Sequence, residues 1–175
     1  MPERPDRTVE VVAHSDRWSA LFSQERAALA EALGSTASSI EHIGSTAVQG
    51  LVAKPTIDIL VVVGDMSELL DRVPAMEALG YQHRPDNTLA GSGEHQFFRR
   101  VSGGKRTHHV HVMLAGAPQA EQYRRFRDVL RSDAVLAARY AEVKLRLASQ
   151  HADDRAAYVQ QKSDWVDETL RALGI

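Results

Sequence analysis

The chain has 175 residues, enough for one domain with a sizeable core, and its 21 Lys and Arg against 23 Asp and Glu leave a net charge of −2. That balance excludes a global positive field of the kind that holds a long nucleic acid by its phosphates. The lack of cysteine excludes disulfides, thiolate metal sites and cysteine nucleophiles, and it fits a reducing cytoplasm. The opening "MPERPDRTVE" has no apolar signal core, and no apolar run approaches the ~20 residues needed to span a bilayer. We therefore expect a cytoplasmic protein with neither a membrane nor a long nucleic acid as partner.

Along the chain, Val9 to Val12 is a short β-rich run, and Ser15 or Asp16 is placed to cap a following helix. Trp18, Leu21, Phe22, Leu29 and Leu33 recur at helical spacing and form one apolar stripe, which Gly34 ends. Ile40 to Ile43 reads as a brief strand, "GSTA" as a turn opening a short helical segment, and Thr56 to Val63 as a strand buried on both faces. "MSELLDRVPAMEALG" reads as a helix that Pro74 kinks or divides. "HQFFRRVS" and "RTHHVHVML" form a β-hairpin across the Gly103 to Lys105 turn. Three helical segments follow from Gln119, with Ser132 or Asp133 and then Asp153 as caps. The pattern predicts an α+β fold in a single domain over 1–175. A mixed sheet occupies about 9–115, and helices over about 119–173 pack on it.

The chemistry concentrates in "EHIGSTAVQGLVAKPTIDILVVV", Glu41 to Val63. A Gly-Ser pair at the mouth of a helical turn offers free backbone N–H groups to phosphate, and the hydroxyls of Ser45 and Thr46 add donors. Lys54 can bring a positive charge to the same phosphates. Asp58, alone in the apolar run, can hold Mg²⁺ that bridges phosphate oxygens. Taken singly, each has a plainer reading: a tight turn, a solvated lysine and a polar residue at a strand end.

The whole stretch resembles the GrpB-like family, a branch of the nucleotidyltransferase-fold superfamily. "FFRR", "RTHHVHVML", "FRDVLRSD", "ARYAEVKLRLA" and "RAAYVQQKSDWV" look like further blocks of that family in order, so the likeness covers nearly the whole chain from Val9. The resemblance implies a nucleotidyltransferase-like mixed sheet flanked by helices. It also implies that Gly44 and Ser45 hold nucleotide phosphate and that Asp58 is the second aspartate of an Asp-x-Asp metal signature. Here Thr56 stands at the first aspartate position, and Gln49 stands where such sequences commonly have proline.

On the predicted hairpin strand, His109 and His111 share one face and His108 the other. Two imidazoles on one face can bind a metal or move a proton. The resemblance places His109 or His111 about where the superfamily's third carboxylate lies, giving a catalytic and metal set of Asp58, His109 and His111. A set with imidazole favours Mn²⁺, Fe²⁺ or Zn²⁺ over Mg²⁺, which prefers oxygen ligands. His42 lies near the turn, with support or burial as its plainer fate. Arg99 and Arg106, more than Arg100, are candidates to pair with phosphate. Tyr140 with Lys144, and Tyr158 with Lys162, share helix faces, and we expect Tyr158 and Lys162 to contact base and phosphate. Packing is the competing reading for both pairs, as it is for Trp18 and Trp165.

The expected function is transfer of a nucleotidyl group from an NTP, ATP foremost, to a small-molecule acceptor, with Mg²⁺ or Mn²⁺ as cofactor. Were the acceptor a carboxylate, the same site could support amide ligation. The alternatives are a nucleotide- or phosphate-binding module without catalysis, and a metal-dependent hydrolase built on Asp58 and the histidine strand.

Overall fold

The structure is a computed structural model that describes residues 9–87 and 93–175. The polar leader through residue 8 lies outside the described residues. Val12 forms an isolated antiparallel bridge with Ala53, so the expected first strand is reduced to one pairing. Helix α1 spans Arg17–Leu33 and buries Trp18, Leu29 and Leu33, while Gly34 at φ 55° ends it with its N–H on Ala30 O. Leu21 is 40% exposed and lies off the expected stripe. Asp16 occupies the cap position without a side-chain cap bond, and its Oδ1 instead accepts from the Gln49 amide at 3.0 Å.

Strand β1 covers Ala37–Ile43 and β2 covers Ile57–Val63; between them Ser45–Ala47 makes a single 3₁₀ turn. Helices α2 (Met66–Asp71) and α3 (Val73–Ala78) divide where Pro74 predicts a break. Proline falls in the first turn of α3, where its missing N–H has no helical partner to lose. Strand β3 (Tyr81–His83), too short to carry a sequence pattern, precedes β4 (His95–Ser102) and β5 (Lys105–Leu114). The β4–β5 turn is Gly103-Gly104, both at positive φ (57° and 75°), as a tight two-residue hairpin turn requires. Helices α4 (Pro118–Ser132), α5 (Ala134–Gln150) and α6 (Arg155–Leu173) complete the chain. Asp133 caps α5 as expected, but Asp154 caps α6 in place of Asp153, accepting from Ala157 N.

The five strands run in the order β1-β2-β5-β4-β3, with β2 and β5 parallel and the other pairs antiparallel. This is the mixed sheet that the pattern predicts. Its register sorts the side chains. Ile57, Ile59, Val61, Val63, Phe98, Val110 and Val112 pack on Trp18, Leu29 and Leu33 of α1 and on Leu69 and Met76 of α2 and α3. On the opposite face Ile43, Leu60, Val62 and Met113 meet Ala120 of α4. Each fully buried aliphatic side chain contributes about 1.5–3 kcal/mol, which explains why β2 carries an almost unbroken apolar run. A third cluster joins Val48 and Leu51, just beyond the Gly-Ser turn, to Leu130 and Tyr140. The C-terminal helices are thereby tied to the segment that holds the turn. Among the described residues no helix is long and apolar enough to cross a membrane.

Candidate functional site

Pairing of β1 with β2 sets Ile43 beside Asp58, and pairing of β2 with β5 sets Asp58 beside His109. The chain leaves β1 through Gly44 at φ 72°, in the left-handed region that favours glycine. A Cβ at Gly44 would stand 2.7 Å from Asp58 Oδ2 and 3.1 Å from its Cβ. Only glycine lets this turn approach the carboxylate so closely. The turn and the aspartate, fourteen positions apart in sequence, therefore form one locus.

The turn is anchored from behind. Thr46 is buried, and its hydroxyl donates to Thr56 O at 3.4 Å while accepting from His42 Nε2–H at 2.9 Å. The Thr46 side chain thus serves the fold rather than facing a ligand. His42 stacks on Phe22 at 4.6 Å between centroids, and burial is the chief cause that pulls its pKa down to about 4, which leaves it neutral. From α4, Arg131 donates to Ala47 O through Nε at 3.0 Å and Nη2 at 2.8 Å, and Arg127 donates to His42 O at 3.2 Å.

His109 Nδ1 lies 3.0 Å from Asp58 Oδ1, and His109 Nε2 is buried without a hydrogen-bond partner. Burial works to raise the Asp58 pKa. The hydrogen bond from His109 and the charges of His109, His111 and Lys162 outweigh it and hold the carboxyl below its usual value. About a third of the Asp58 side chain, 31%, stays open to solvent.

The lysine that meets Ser45 comes from α5. Lys144 Nζ donates to Ser45 Oγ at 2.9 Å and to Val52 O, and it sits 4.4 Å from the centre of the Tyr140 ring. It is only 2% exposed, and burial, reinforced by Lys162, pulls its pKa down to about 7. Lys162 of α6 behaves oppositely. Tyr140, with Tyr158 and Asp58, pushes its pKa up against the effect of burial. Two lysines from two helices thus converge on the Ser45–Asp58 locus. Sequence reading paired Lys144 with Tyr140 on one helix face but placed Lys54 at the turn; Lys54 lies half-buried in the segment entering β2.

Tyr158 is 7% exposed and so presents no open face for a base, while Tyr140 is stacked on Trp165 at 5.0 Å. Arg99 shares the Asp58 face through its pairing with His109, and its Nε donates to Gln82 Oε1 at 3.0 Å. The carbonyl of Arg106 accepts from Thr56 Oγ1 at 3.1 Å. Arg100 is on the opposite face, where Nη1 and Nη2 grip Glu25 at 2.9 and 2.6 Å beside His108. Burial and Arg100 lower the His108 pKa to about 4. That ion-paired cluster under α1 was invisible to sequence reading, since Glu25 falls inside an apolar helix pattern.

Asp58, His109 and His111 do not meet as a three-ligand cluster. Among the described residues no group of three or more His, Asp or Glu side chains is arranged to hold a metal ion. His109 Nδ1 is engaged by Asp58, whereas His111 stacks on His95 at 5.4 Å, with its Nδ1 3.3 Å from His95 Nε2. Burial drives the His111 pKa to about 3. Thr56 is buried with its hydroxyl on Arg106 O, so it offers no second ligand either. The donor set that fits a metal is therefore Asp58 alone, ionised and partly open beside the turn. That suits a hard cation drawing its remaining ligands from phosphate and water, as Mg²⁺ does.

A family model described as GrpB protein matches residues 8–172. The chain belongs to the GrpB family. Among GrpB relatives, UPF0157 protein YqkA of Bacillus subtilis is 36% identical over 162 residues, covering 93% of this chain. The match takes in 46% of YqkA, so the chain spans about half the length of that relative. The crystal structure of GrpB from Enterococcus faecalis superposes with a TM-score of 0.83 at 30% identity, covering 95% of this chain and 100% of that one. A cytoplasmic RNA terminal U-transferase aligns with a TM-score of 0.52 at 17% identity, over 76% of this chain and 41% of its own. At that identity the likeness concerns the fold alone, which for this GrpB chain is nucleotidyltransferase-like.

Proposed function

We propose that the chain is a nucleotidyltransferase that moves a nucleotidyl group from an NTP, ATP foremost, to a small-molecule acceptor. The observation that carries this reading is the approach of Gly44 to Asp58, with Ser45 Oγ bonded to Lys144 on the same turn. The triphosphate lies along the Gly44–Ser45 backbone, where N–H groups and the Ser45 hydroxyl donate to its oxygens. Lys144 and Lys162 neutralise its charge, and His109 holds the Asp58 carboxylate in a fixed orientation. An acceptor oxygen attacks the α-phosphorus in line and the bond to pyrophosphate breaks; a hydroxyl acceptor gives up its proton to the departing pyrophosphate or to water, and a carboxylate acceptor has none to lose. Positioning and charge neutralisation supply the catalysis. A divalent cation, Mg²⁺ or Mn²⁺, would be held by Asp58 together with phosphate oxygens, supplying charge neutralisation at those oxygens.

A nucleotide-binding module without catalysis is the second reading, favoured by Thr56, which turns its hydroxyl to Arg106 O at the first-carboxylate position. Two assays separate them. Nucleotide-dependent thermal stabilisation reports binding, and pyrophosphate release with hydroxyl and carboxylate acceptors reports transfer. Stabilisation with release supports the transferase, stabilisation without release supports the module, and the absence of both stabilisation and release excludes a nucleotide site.

A further inference from the structure

Ser45 and Lys144 form a pair whose chemistry nucleotide binding does not use. Lys144 Nζ lies 2.9 Å from Ser45 Oγ and also bonds Val52 O. The lysine is 2% exposed, whereas Ser45 is only half-buried. A hydroxyl, a base within hydrogen-bond reach of it and a third group that orients the base are the parts by which a serine is made nucleophilic. Val52 O is the orienting group here, and a desolvated lysine is the base.

Four groups face the Lys144 amine. Ser45 Oγ and Val52 O come from the turn segment, the Tyr140 ring from its own helix at 4.4 Å, and the charge of Lys162 from α6. Among the described residues no carboxylate is ion-paired with it, and burial, followed by Lys162, works against the ammonium. Once uncharged, the amine keeps an N–H for Val52 O and turns its lone pair to the Ser45 hydroxyl. Lys162 is driven the other way, since Tyr140, Tyr158 and Asp58 favour its charge. Two amines pushed apart in this manner divide the work of a base from that of a fixed positive charge.

We propose that Ser45 is a nucleophile in the nucleotide-free protein, with Lys144 as its general base, and that it takes the acyl group of a small uncharged ester. The Ser45 oxygen attacks the ester carbonyl and its proton passes to Lys144 Nζ. The bond from the carbonyl carbon to the leaving oxygen breaks, the proton follows onto that oxygen, and an acyl-Ser45 ester remains. The Lys162 charge favours the negative charge that develops on the carbonyl oxygen. Asp58, ionised beside Gly44, disfavours an anionic donor. A bound triphosphate draws a proton onto Lys144 and so withdraws the base, which confines this chemistry to the free protein.

The test treats the full chain, without nucleotide or metal, with p-nitrophenyl acetate at pH 8 and locates the adduct by peptide mass spectrometry. An acetyl group on Ser45 that hydroxylamine removes is expected, and its rate of formation should rise with pH through an inflection at about 7. Lys144→Arg keeps N–H groups for Ser45 and Val52 O but stays protonated, so Ser45 should acetylate at least tenfold more slowly. A lysine that only braced the turn would be replaced by arginine without loss of rate. Lys144→Met, which removes the amine at similar bulk, should show the same loss. The proposal is overturned if acetyl groups form elsewhere but not on Ser45, if the rate shows no such inflection, or if either Lys144 variant acetylates Ser45 as wild type does. Because nucleotide is left out, the outcome does not depend on whether the chain binds ATP.

Discussion

The ammonium of Lys144 donates to the hydroxyl of Ser45 over 2.9 Å, joining residues 99 positions apart and fastening α5 to the Gly-Ser turn. The same ammonium reaches Val52 O, so one buried group braces both ends of the segment beyond the turn. A lysine held this way has a pKa of about 7 and, among the described residues, no carboxylate ion-paired with it, which makes phosphate a fitting counter-ion.

Lys144 makes stability depend on pH. Its folded pKa, about 7, lies below the ordinary lysine value of 10.5, so between those limits the unfolded chain binds more protons. The cost of burying the charge is fully felt below pH 7 and fades as pH rises towards 10.5. Denaturant midpoints should therefore rise over that window in wild type relative to Lys144→Met. Parallel profiles for the two proteins would show that Lys144 does not titrate there.

The same depression links nucleotide binding to protons. A triphosphate at Ser45 favours charged Lys144, so binding at pH 8 takes up a proton and affinity falls as pH rises above 7. Calorimetry in buffers of differing ionisation enthalpy should detect the uptake, and Lys144→Met should abolish it.

Gly44→Ala should destabilise the fold by about 1–3 kcal/mol, combining a left-handed backbone with a Cβ pressed against Asp58 Oδ2. In an Asp58→Ala background the cost should shrink, because the contact is gone and only backbone strain remains. Urea unfolding of the four proteins in a double-mutant cycle measures the difference. Equal costs in both backgrounds would place Gly44 away from the carboxylate.

On the other face of the sheet, Arg100→Met leaves Glu25 buried without its bidentate partner and should cost about 3–5 kcal/mol. Because that cluster lies across the sheet from Asp58, nucleotide affinity of the folded variant should be unchanged. A parallel loss of affinity would indicate that the two faces are coupled.

Tyr158→Ala should cost about 3–5 kcal/mol as a core truncation, whereas Tyr158→Phe should leave nucleotide affinity as it is. Denaturation and ATP titration of the two variants distinguish a packing residue from a base platform.

How much of this is legible in the chain follows from the range of the forces involved. Strands β1, β2, β4 and β5 could be read because a buried sheet imposes local apolar patterns, and the Pro74 break could be read because proline acts on its own turn. Asp58 stood out as the single polar side chain in an otherwise apolar strand. The alternation put His109 and His111 on one face, as they are, but it could not tell that His109 engages Asp58 while His111 turns to His95. Lys144 was hidden for a different reason. Its role arises from packing α5 against the turn, a contact with no local signature, whereas Lys54 drew the expectation because it is near the turn in sequence. Tyr158 was read as a base contact because helical spacing identifies a shared face without saying whether that face points inward.

A crystal structure of the chain with a non-hydrolysable ATP analogue and Mg²⁺ tests the central claim most directly. The account predicts triphosphate oxygens within hydrogen-bond distance of the Gly44–Ser45 backbone and of Lys144 Nζ, with the metal on Asp58. An analogue bound elsewhere on the fold, with the turn and Asp58 unchanged and untouched, would contradict it.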